Sequence, residues 1–501
     1  MDHPVWDVGV GYGLWMALFG VVHVFVSHFA VGGGLVLVLA ERRARRTGDA
    51  AALAHVRRLS GFFAPTTLVV GALTGVGIWF IIGLLNPSAT GVLIRTFVWA
   101  WAVEWTFFAV EILAAILYAK GWDRLPPRAH EALGWVYFVA AWFSLVVING
   151  IVTFMWTPGA WTTTGSFWDG FLNPTYAPSL VLRTAISLLL AGLFGAAVAA
   201  RAPDAEARRR LVRGHAVVGA VGLLASLAAF LWYRAALPAD LLAAVGERLT
   251  IPARALDAFH ATSVALGAAL LLFLALPRAA RRPVTVAALA VGLVWFGSFE
   301  WWREGARKPW AVAGVVYGNG VHADHPAAAA KTGHLAPDGL STGDRGRDLW
   351  LSQCRACHTL DGYNPVLPAF AGTDETFAAG VLAGLHTMRG KMPPFSGVEA
   401  ERKVLAAWLV ARADRTPLPE RARRSGEDLG ALVYAQRCGR CHVEGGWNDK
   451  RKSFEGLEEA DVRDAIESIS FDEMPAFSGT TEERDALARH LLRRAGGGGA
   501  K

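Results

Sequence analysis

Cysteine is scarce in this sequence. Only four cysteines occur in 501 residues, and all of them lie in two short elements, 354-CRACH and 438-CGRCH. No cysteine is left elsewhere for a structural disulfide or for an isolated catalytic nucleophile. The chemistry of cysteine is therefore confined to these two elements.

Charged residues are scarce as well. They make up 18% of the chain, against 53% hydrophobic residues, which is too apolar for a soluble enzyme of this length. We expect no cleavable signal peptide, because MDHPVWDVGV has no basic n-region and the first apolar run is too long for an h-region. The net charge of +7 does not indicate a nucleic-acid partner, because the arginines cluster in short loops between apolar runs. We expect a membrane protein with a soluble region attached.

Eight apolar runs are long enough to span a bilayer, which needs about 20 helical residues. They cover 12–40, 61–86, 95–119, 133–156, 178–200, 214–236, 257–276 and 283–302. The loops after spans one, three, five and seven contain 17 basic residues: Arg42, Arg43, Arg45, Arg46, Arg57, Arg58, Lys120, Arg124, Arg128, Arg201, Arg208, Arg209, Arg210, Arg213, Arg278, Arg281 and Arg282. The loops after spans two, four and six contain four: Arg95, Arg234, Arg248 and Arg254. The positive-inside rule then predicts a multi-pass protein of the bacterial inner membrane, with the N-terminus and the C-terminal region on the periplasmic side.

The composition changes after Trp310. Residues 316–342 are predicted to form a linker, and residues 343–413 and 425–495 repeat each other. Each repeat has a helix-like stretch before its cysteines, a Met-Pro element (391-KMPPFSG, 473-EMPAFSG) and a closing amphipathic helix. The expected fold is all-α: a membrane helix bundle of about eight spans in residues 1–315, followed by two small helical domains.

The Cys-x-x-Cys-His elements predict covalent haem. Two thiols can form thioethers with haem vinyl groups, and the next imidazole can bind the iron. The predicted residues are Cys354, Cys357 and His358 in the first repeat, and Cys438, Cys441 and His442 in the second. A zinc site would need four ligands per metal and would leave the Met-Pro element unexplained. Two haem c groups are therefore expected, and both repeats resemble small class I c-type cytochrome domains over their whole length.

A methionine is the expected second axial ligand in each repeat. Met392 and Met474 follow the first cysteine of their repeat by 38 and 36 residues, in near-identical settings. Met388 and His386 lie close to Met392 and are its rivals.

Ionisable residues inside apolar helices are costly, so each one is a functional candidate. His23 and His28 in span one are separated by five residues, which turn an α-helix through about 500°, so they point to different faces. Glu104 and Glu111 in span three are seven residues apart, which places both carboxyls on one face, about 10 Å apart. Such a carboxylate track can ligate haem iron and relay protons. The alternative is that tryptophan and backbone groups simply satisfy both carboxyls.

Further motifs resemble subunit I of cytochrome bd-type quinol oxidases over residues 10–315. They are the first-span His, 74-TGVGIWF, the paired glutamates running into 121-GWDRL, 149-NG and 304-EGARKPW. The last motif resembles the family's Glu, Gly-Arg-Gln-Pro-Trp signature, with Lys308 in place of Gln and one extra small residue.

The resemblance implies roles for these residues. His23 and Glu304 would bind the two haems of an oxygen-reducing centre, and Arg307 and Trp310 of the signature would contact haem. Glu104 and Glu111 would serve haem ligation and proton delivery. It also implies one to three membrane haems of b and d type, further membrane subunits and lipid contacts.

Departures from the family concern its low-spin haem b and its quinol loop. The family uses a His at the start of span five and a Met in span seven, but Arg183 and Thr262 stand there, and neither is a good iron ligand. His260 could bind a haem instead, or be a hydrogen-bonded interfacial residue. Only about 20 residues, 237–256, replace the long quinol loop. His215 is expected at the surface.

The favoured hypothesis is a bd-like terminal oxidase subunit that receives electrons from a periplasmic cytochrome c or another redox protein and reduces O2. The alternative is a subunit that passes electrons between quinol and a periplasmic partner without O2 chemistry. A third reading, in which the membrane part only anchors the tail, gives His23, Glu104, Glu111 and Glu304 no purpose.

Overall fold

Helices form most of the chain in the computed structural model. The model describes residues 6, 8–10, 12–239, 241–242, 250–276, 279–335, 341–388, 390–469 and 474–496. Arg248, Arg278, and parts of the 237–256 loop and of the 316–342 linker lie outside the described residues. The only strands among these residues form one short two-stranded sheet. The expected all-α fold is confirmed.

The described residues contain eight helices long and apolar enough to cross a membrane. The membrane part consists of α1 (Tyr12–Thr47), α2 (Ala50–Pro65), a π-helical turn (Thr66–Gly71), α3 (Ala72–Leu85), α4 (Pro87–Thr96), α5 (Val98–Gly121), α6 (Pro127–Phe154), α7 (Trp161–Thr164), α8 (Phe167–Phe171), α9 (Tyr176–Ala199), α10 (Ala205–Ala235), α11 (Thr250–Ala275) and α12 (Arg282–Ala306). The second span combines α2, the π-helical turn and α3. The predicted number of spans is confirmed.

The first span is longer than predicted. It continues beyond residue 40 to Thr47 because no residue interrupts the helix before Gly48, which has a positive φ of 64°. Asp49 then caps α2 by accepting a hydrogen bond from the Ala52 amide at 2.9 Å. Four of the arginines assigned to this loop, Arg42, Arg43, Arg45 and Arg46, therefore lie on the last turns of α1, whereas Arg57 and Arg58 lie on α2.

Helix α1 packs against α6 and α9, and the largest apolar core joins α9, α10, α11 and α12. Large aromatic side chains fill that core, with Trp295, Phe296 and Trp302 almost completely buried. Helices α3 and α5 are different, because many of their apolar side chains point outward, for example Leu73 and Trp99. These two helices provide the most exposed apolar faces of the described bundle.

A short cap closes the end of α12. It consists of β1 (Trp310–Val312) and β2 (Val316–Tyr317), which pair antiparallel, and of α13 (His325–Thr332). The rings of Trp310 and Tyr317 stack with their centroids 4.1 Å apart. The cap leads from the membrane part into the tail.

The tail contains α14 (Arg345–Gln353), α15 (Glu375–Ala383), α16 (Glu399–Val410), α17 (Leu418–Ser425), α18 (Leu429–Val433), α19 (Glu459–Glu467) and α20 (Thr481–Gly496). In each repeat the first helix crosses the last, α14 on α16 and α18 on α20. A glycine lies at each crossing, eight residues before the first cysteine. A Cβ on Gly346 would come within 2.4 Å of Trp408, and one on Gly430 within 2.1 Å of the Ala486 carbonyl oxygen. Only glycine permits these close crossings.

Candidate functional site

The cysteines and histidine of each repeat lie on one tight turn. The His358 amide donates to the Cys354 carbonyl at 3.0 Å, and the His442 amide donates to the Cys438 carbonyl at 2.9 Å. The Cys357 and Cys441 amides bond to the same two carbonyls at 3.0 Å. Each turn therefore holds two thiols and an imidazole side by side, as covalent haem attachment requires.

An asparagine orients each of these imidazoles. His358 Nδ1 lies 3.1 Å from the Asn364 carbonyl oxygen, and His442 Nδ1 lies 3.0 Å from that of Asn448. Both asparagines have positive φ angles, 49° and 54°. A carbonyl acceptor at Nδ1 fixes the proton there, which leaves the Nε2 lone pair for iron. Sequence reasoning missed these asparagines, although both stand six residues after the histidine.

A second contact ties the Met-Pro element to the cysteine helix in each repeat. Gln353 exchanges two hydrogen bonds of 2.8 Å with the Ser396 backbone. Arg437 is its counterpart in the second repeat and donates to Ser478 Oγ at 3.3 Å. Each pair joins the residue before the first cysteine to the serine four residues after the predicted methionine ligand. The sequence reading did not include this contact.

The rival ligands near Met392 have different surroundings. Met388 is buried and His386 is exposed, whereas Met392 and Met474 are both partly buried. Among the described residues, no group of three or more His, Cys, Asp or Glu could hold a metal ion. Two thiols, an oriented imidazole and a thioether fit haem c in both repeats.

The two histidines of α1 face different neighbours. His23 Nδ1 lies 3.2 Å from both the Gly71 carbonyl oxygen and Thr74 Oγ1, at the junction of the π-helical turn and α3. His28 is buried, and its Nε2 lies 3.4 Å from the Arg183 guanidinium of α9. Nε2 of His23 is therefore the candidate donor to iron, whereas Nε2 of His28 lies against the Arg183 guanidinium.

A chain of charged groups runs from Arg183 to the end of α12, and we call it the membrane charge chain. Its ion pairs are Arg183–Glu300 (3.2 Å), Glu300–Arg303 (2.9 Å), Arg303–Glu304 (2.7 Å) and Glu304–Arg307 (2.5 Å). Glu300 and Arg303 are buried, while 46% of the Glu304 side chain is exposed. Arg307 also donates to the carbonyl oxygens of Trp310, at 3.1 Å, and Ala311.

Sequence reasoning found Glu304 and Arg307 but missed Glu300 and Arg303. The signal was present, because acidic and basic residues alternate at 300, 303, 304 and 307, the spacing of one helix face. The structure adds Arg183 from α9 to this row.

The residues discussed for a low-spin haem do not form a ligand pair. Arg183 is engaged by Glu300, and Thr262 Oγ1 donates to the Ala258 carbonyl of its own helix at 2.6 Å. His260 lies exposed on the outside of α11. The Arg183 guanidinium and the Thr262 hydroxyl do not fit a haem iron as ligands.

The expectation that His215 lies at the surface is wrong. It is buried between α9 and α10, where its Nε2 is 2.7 Å from His55 Nε2. The absence of a side chain at Gly195 makes this possible, because a Cβ there would come within 2.2 Å of the His215 ring.

Both glutamates of α5 face α6. Glu104 accepts a hydrogen bond from Ser144 Oγ at 3.0 Å, and Glu111 accepts one from the Tyr137 hydroxyl at 3.0 Å. Tyr137 also lies 3.4 Å from the Ala30 carbonyl oxygen of α1. The carboxylates thus line the α5–α6 contact, and Tyr137 connects Glu111 with the helix that carries His23.

Comparisons with known proteins match two separate parts of the chain. Residues 14–235 match the family model of cytochrome bd terminal oxidase subunit I. Residues 341–409 and 427–491 each match that of cytochrome c oxidase, cbb3-type, subunit III. The resemblance to bd-type subunit I fused to two cytochrome c domains is confirmed.

A solved structure of bd oxidase from Geobacillus thermodenitrificans aligns with a TM-score of 0.55 and 16% identity, over 60% of this chain and 88% of that chain. At this identity the likeness shows the fold alone. No curated protein matched the chain. The bd-like membrane part and the cytochrome c domains identify an integral membrane haem protein of respiratory electron transfer, and an oxidoreductase in the general sense.

Proposed function

We propose that this chain is a bd-like terminal oxidase subunit whose electrons enter through the C-terminal c haems and reduce O2 in the membrane part. The donor is a periplasmic cytochrome c or a similar redox protein. The tail and the N-terminus lie on the periplasmic side, as the distribution of basic residues favours. The observation that carries this proposal is the buried ion pair of Arg183 with Glu300.

Arg183 stands where the family resemblance expects a ligand of the low-spin haem that accepts electrons from quinol. A guanidinium is always protonated in proteins and has no lone pair to donate to iron. Glu300 compensates its charge at 3.2 Å, which gives Arg183 a stable buried position. The quinol route therefore lacks its electron acceptor, and the tail offers another input.

The tail has two complete donor sets for that input: Cys354, Cys357, His358 and Met392 in the first repeat, and Cys438, Cys441, His442 and Met474 in the second. Haem bound there would supply one-electron transfer, and a methionine ligand raises its reduction potential. A high potential suits the transfer of electrons towards oxygen.

In the membrane part, His23 is the proposed haem ligand through Nε2, because Gly71 and Thr74 occupy its Nδ1 side. Glu304 is the second proposed ligand, and its carboxylate would have to leave Arg303 or Arg307 to bind iron. Glu104 and Glu111 are the proposed proton carriers: Ser144 and Tyr137 donate hydrogen bonds to them, and Tyr137 connects Glu111 with α1. Reduction of O2 to two waters consumes four electrons and four protons, so carboxylates at this position match a need of the reaction.

The outward-facing apolar side chains of α3 and α5 support a second membrane subunit or a lipid contact at this face. Leu73 on α3 and Trp99 on α5 are exposed by 67% and 76%.

The test is oxygen uptake by the purified complex with a reduced soluble cytochrome c as donor. We expect turnover that quinol-site inhibitors leave unchanged, and loss of turnover in Cys438→Ala/Cys441→Ala, which lacks one c haem. Quinol-driven reduction of the c haems, with no oxygen uptake from cytochrome c, would instead favour the quinol-to-periplasm electron-transfer subunit.

A further inference from the structure

The first cytochrome domain is attached to the cap of the membrane part beside its cysteines. Asn319 Nδ2, in the turn after β2, donates to the Gln353 carbonyl oxygen at 3.0 Å. Asn319 Oδ1 accepts from the Val321 amide at 3.2 Å, which fixes the orientation of the asparagine. Gln353 directly precedes Cys354 and also binds Ser396, four residues after Met392. The Asn319–Gln353 contact therefore links the cap to the cysteine side and, through Gln353, to the methionine side of the first haem-binding site.

The cap that carries Asn319 follows directly on α12, whose last turn contains Glu304. The Asn319–Gln353 contact therefore joins the first haem-binding site to the segment that follows Glu304.

The second cytochrome domain contacts the first through the residues that flank its own site. Gln436 Nε2 donates to the Pro368 carbonyl at 2.8 Å, and Arg437, directly before Cys438, donates to the Gly372 carbonyl at 3.4 Å. The Arg437 guanidinium also lies 5.3 Å from the ring centre of Phe377. Pro475, next to Met474, packs so closely on Gly380 that a Cβ there would lie 2.8 Å from it.

Arg437 is held rigidly in this interface. It forms an ion pair with Glu483 at 3.0 Å, and both side chains are only 4% exposed. Removing either partner of such a buried pair leaves an uncompensated charge. Glu483 belongs to the second domain, so the pair positions Arg437 for its contacts with the first domain.

We propose that the two cytochrome domains form an ordered relay, in which the second domain receives electrons from the soluble donor and the first domain passes them to the membrane part. The direction of flow rests on the proposed function, whereas the order rests on the contacts of Asn319, Gln436 and Arg437. Each step moves one electron: the ferrous donor is oxidised, the second domain is reduced, and it is then reoxidised by the first. No bond forms or breaks.

Two matched variants each change the predicted haem ligand of one cytochrome domain. Met474→His and Met392→His replace a thioether by an imidazole, which lowers the potential of one haem and removes its sulfur-to-iron absorption band. The purified full chain is mixed with reduced soluble cytochrome c without oxygen, and the reduction of each domain is followed by stopped-flow absorption. Covalent haem content equal to that of the unmodified chain verifies that both variants fold.

We expect Met474→His to slow donor-driven reduction of both domains at least tenfold. Met392→His should leave reduction of the second domain unchanged and slow only the later steps. Reduction of the first domain at the unmodified rate in Met474→His, or before the second domain in the unmodified chain, would overturn the proposed order.

Asn319→Ala tests the attachment to the cap independently of turnover. Hydrogen exchange of the α14 amides should accelerate several-fold, and transfer beyond the first domain should slow by a similar factor. Thr332→Ala is the matched control, because the exposed Thr332 hydroxyl bonds only within α13. Unchanged exchange and transfer in Asn319→Ala would contradict the attachment.

The two proposals fail in different ways. Ordered reduction of the second and then the first domain, without oxygen uptake, would keep the relay and overturn the oxidase function. Oxygen uptake with the first domain reduced first would overturn the relay alone.

Discussion

The candidate haem ligands of the tail lie close together in the sequence, whereas those of the membrane part lie far apart. In the tail, each set of two cysteines, a histidine and a methionine spans fewer than 40 residues, and the second set repeats the first. Both histidines even bind the carbonyl of an asparagine at the same spacing, at 3.1 and 3.0 Å. In the membrane part, by contrast, the candidate ligands His23 and Glu304 lie on α1 and α12, far apart in the chain.

This difference determines how a substitution is accommodated. A local site has only nearby residues as replacements for a lost ligand, such as Met388 and His386 for Met392. A site built from separate helices depends on how those helices pack: the cation of Arg183 on α9 is matched by the carboxylate of Glu300 on α12. The predictions below test this contrast.

The largest effect is expected from His23→Ala. Loss of the imidazole should remove a b-type or d-type haem while both c haems remain, because the two regions hold their haems independently. A pyridine haemochrome spectrum of the purified chain measures each haem type. His260→Ala is the control, since this side chain is exposed on α11, and it should keep every haem. Full membrane haem content in His23→Ala would contradict the assignment of His23 as a haem ligand.

Met392→Ala and Met474→Ala should each abolish the sulfur-to-iron absorption band of one c haem and lower its potential. The reason is that a thioether ligand favours the ferrous state. Spectroelectrochemical titration measures both effects. Met388→Leu keeps an apolar side chain of similar volume and should change neither. An unmodified spectrum in Met392→Ala would transfer the ligand role to Met388 or His386.

Glu300→Gln should destabilise the membrane part by about 3–5 kcal/mol, because it leaves the buried Arg183 without its carboxylate. Arg183→Met should cost less, because Glu300 keeps its ion pair with Arg303. The measurement is unfolding of the detergent-solubilised chain. The double variant Arg183→Met/Glu300→Met should cost less than the sum of the two single losses, because no charge of the pair is left behind. Additive losses would show that the two groups act independently.

The smallest effect concerns the backbone of the tail. Asn364→Ala should lower the stability of the first cytochrome domain by about 1 kcal/mol relative to Asn364→Gly, because a positive φ is costly for alanine. Both variants lose the side-chain bond to the Cys357 carbonyl, so their difference isolates the backbone term. Denaturant unfolding followed by haem absorption measures it. Equal stability of the two variants would contradict the strain argument.

Local patterns allowed much of this molecule to be predicted. Apolar runs predicted eight spans, and the Cys-x-x-Cys-His repeat predicted two haem-binding domains, because both signals lie within a few turns of chain. His215 shows where local reasoning fails. Basic neighbours in the sequence indicated a surface position, but α9 offers a glycine at residue 195, and the imidazole packs there against His55.

By itself, the sequence determined the composition of each haem-binding turn, the number of spans and the carboxylates of α5, because spacing along a helix fixes which side chains share a face. Only the tertiary structure decided that Arg183 meets Glu300, that Asn319 binds beside Cys354 and that Arg437 is buried between the two cytochrome domains. Those contacts join residues far apart in the chain. Their geometry depends on how whole helices and domains pack, which no local pattern encodes.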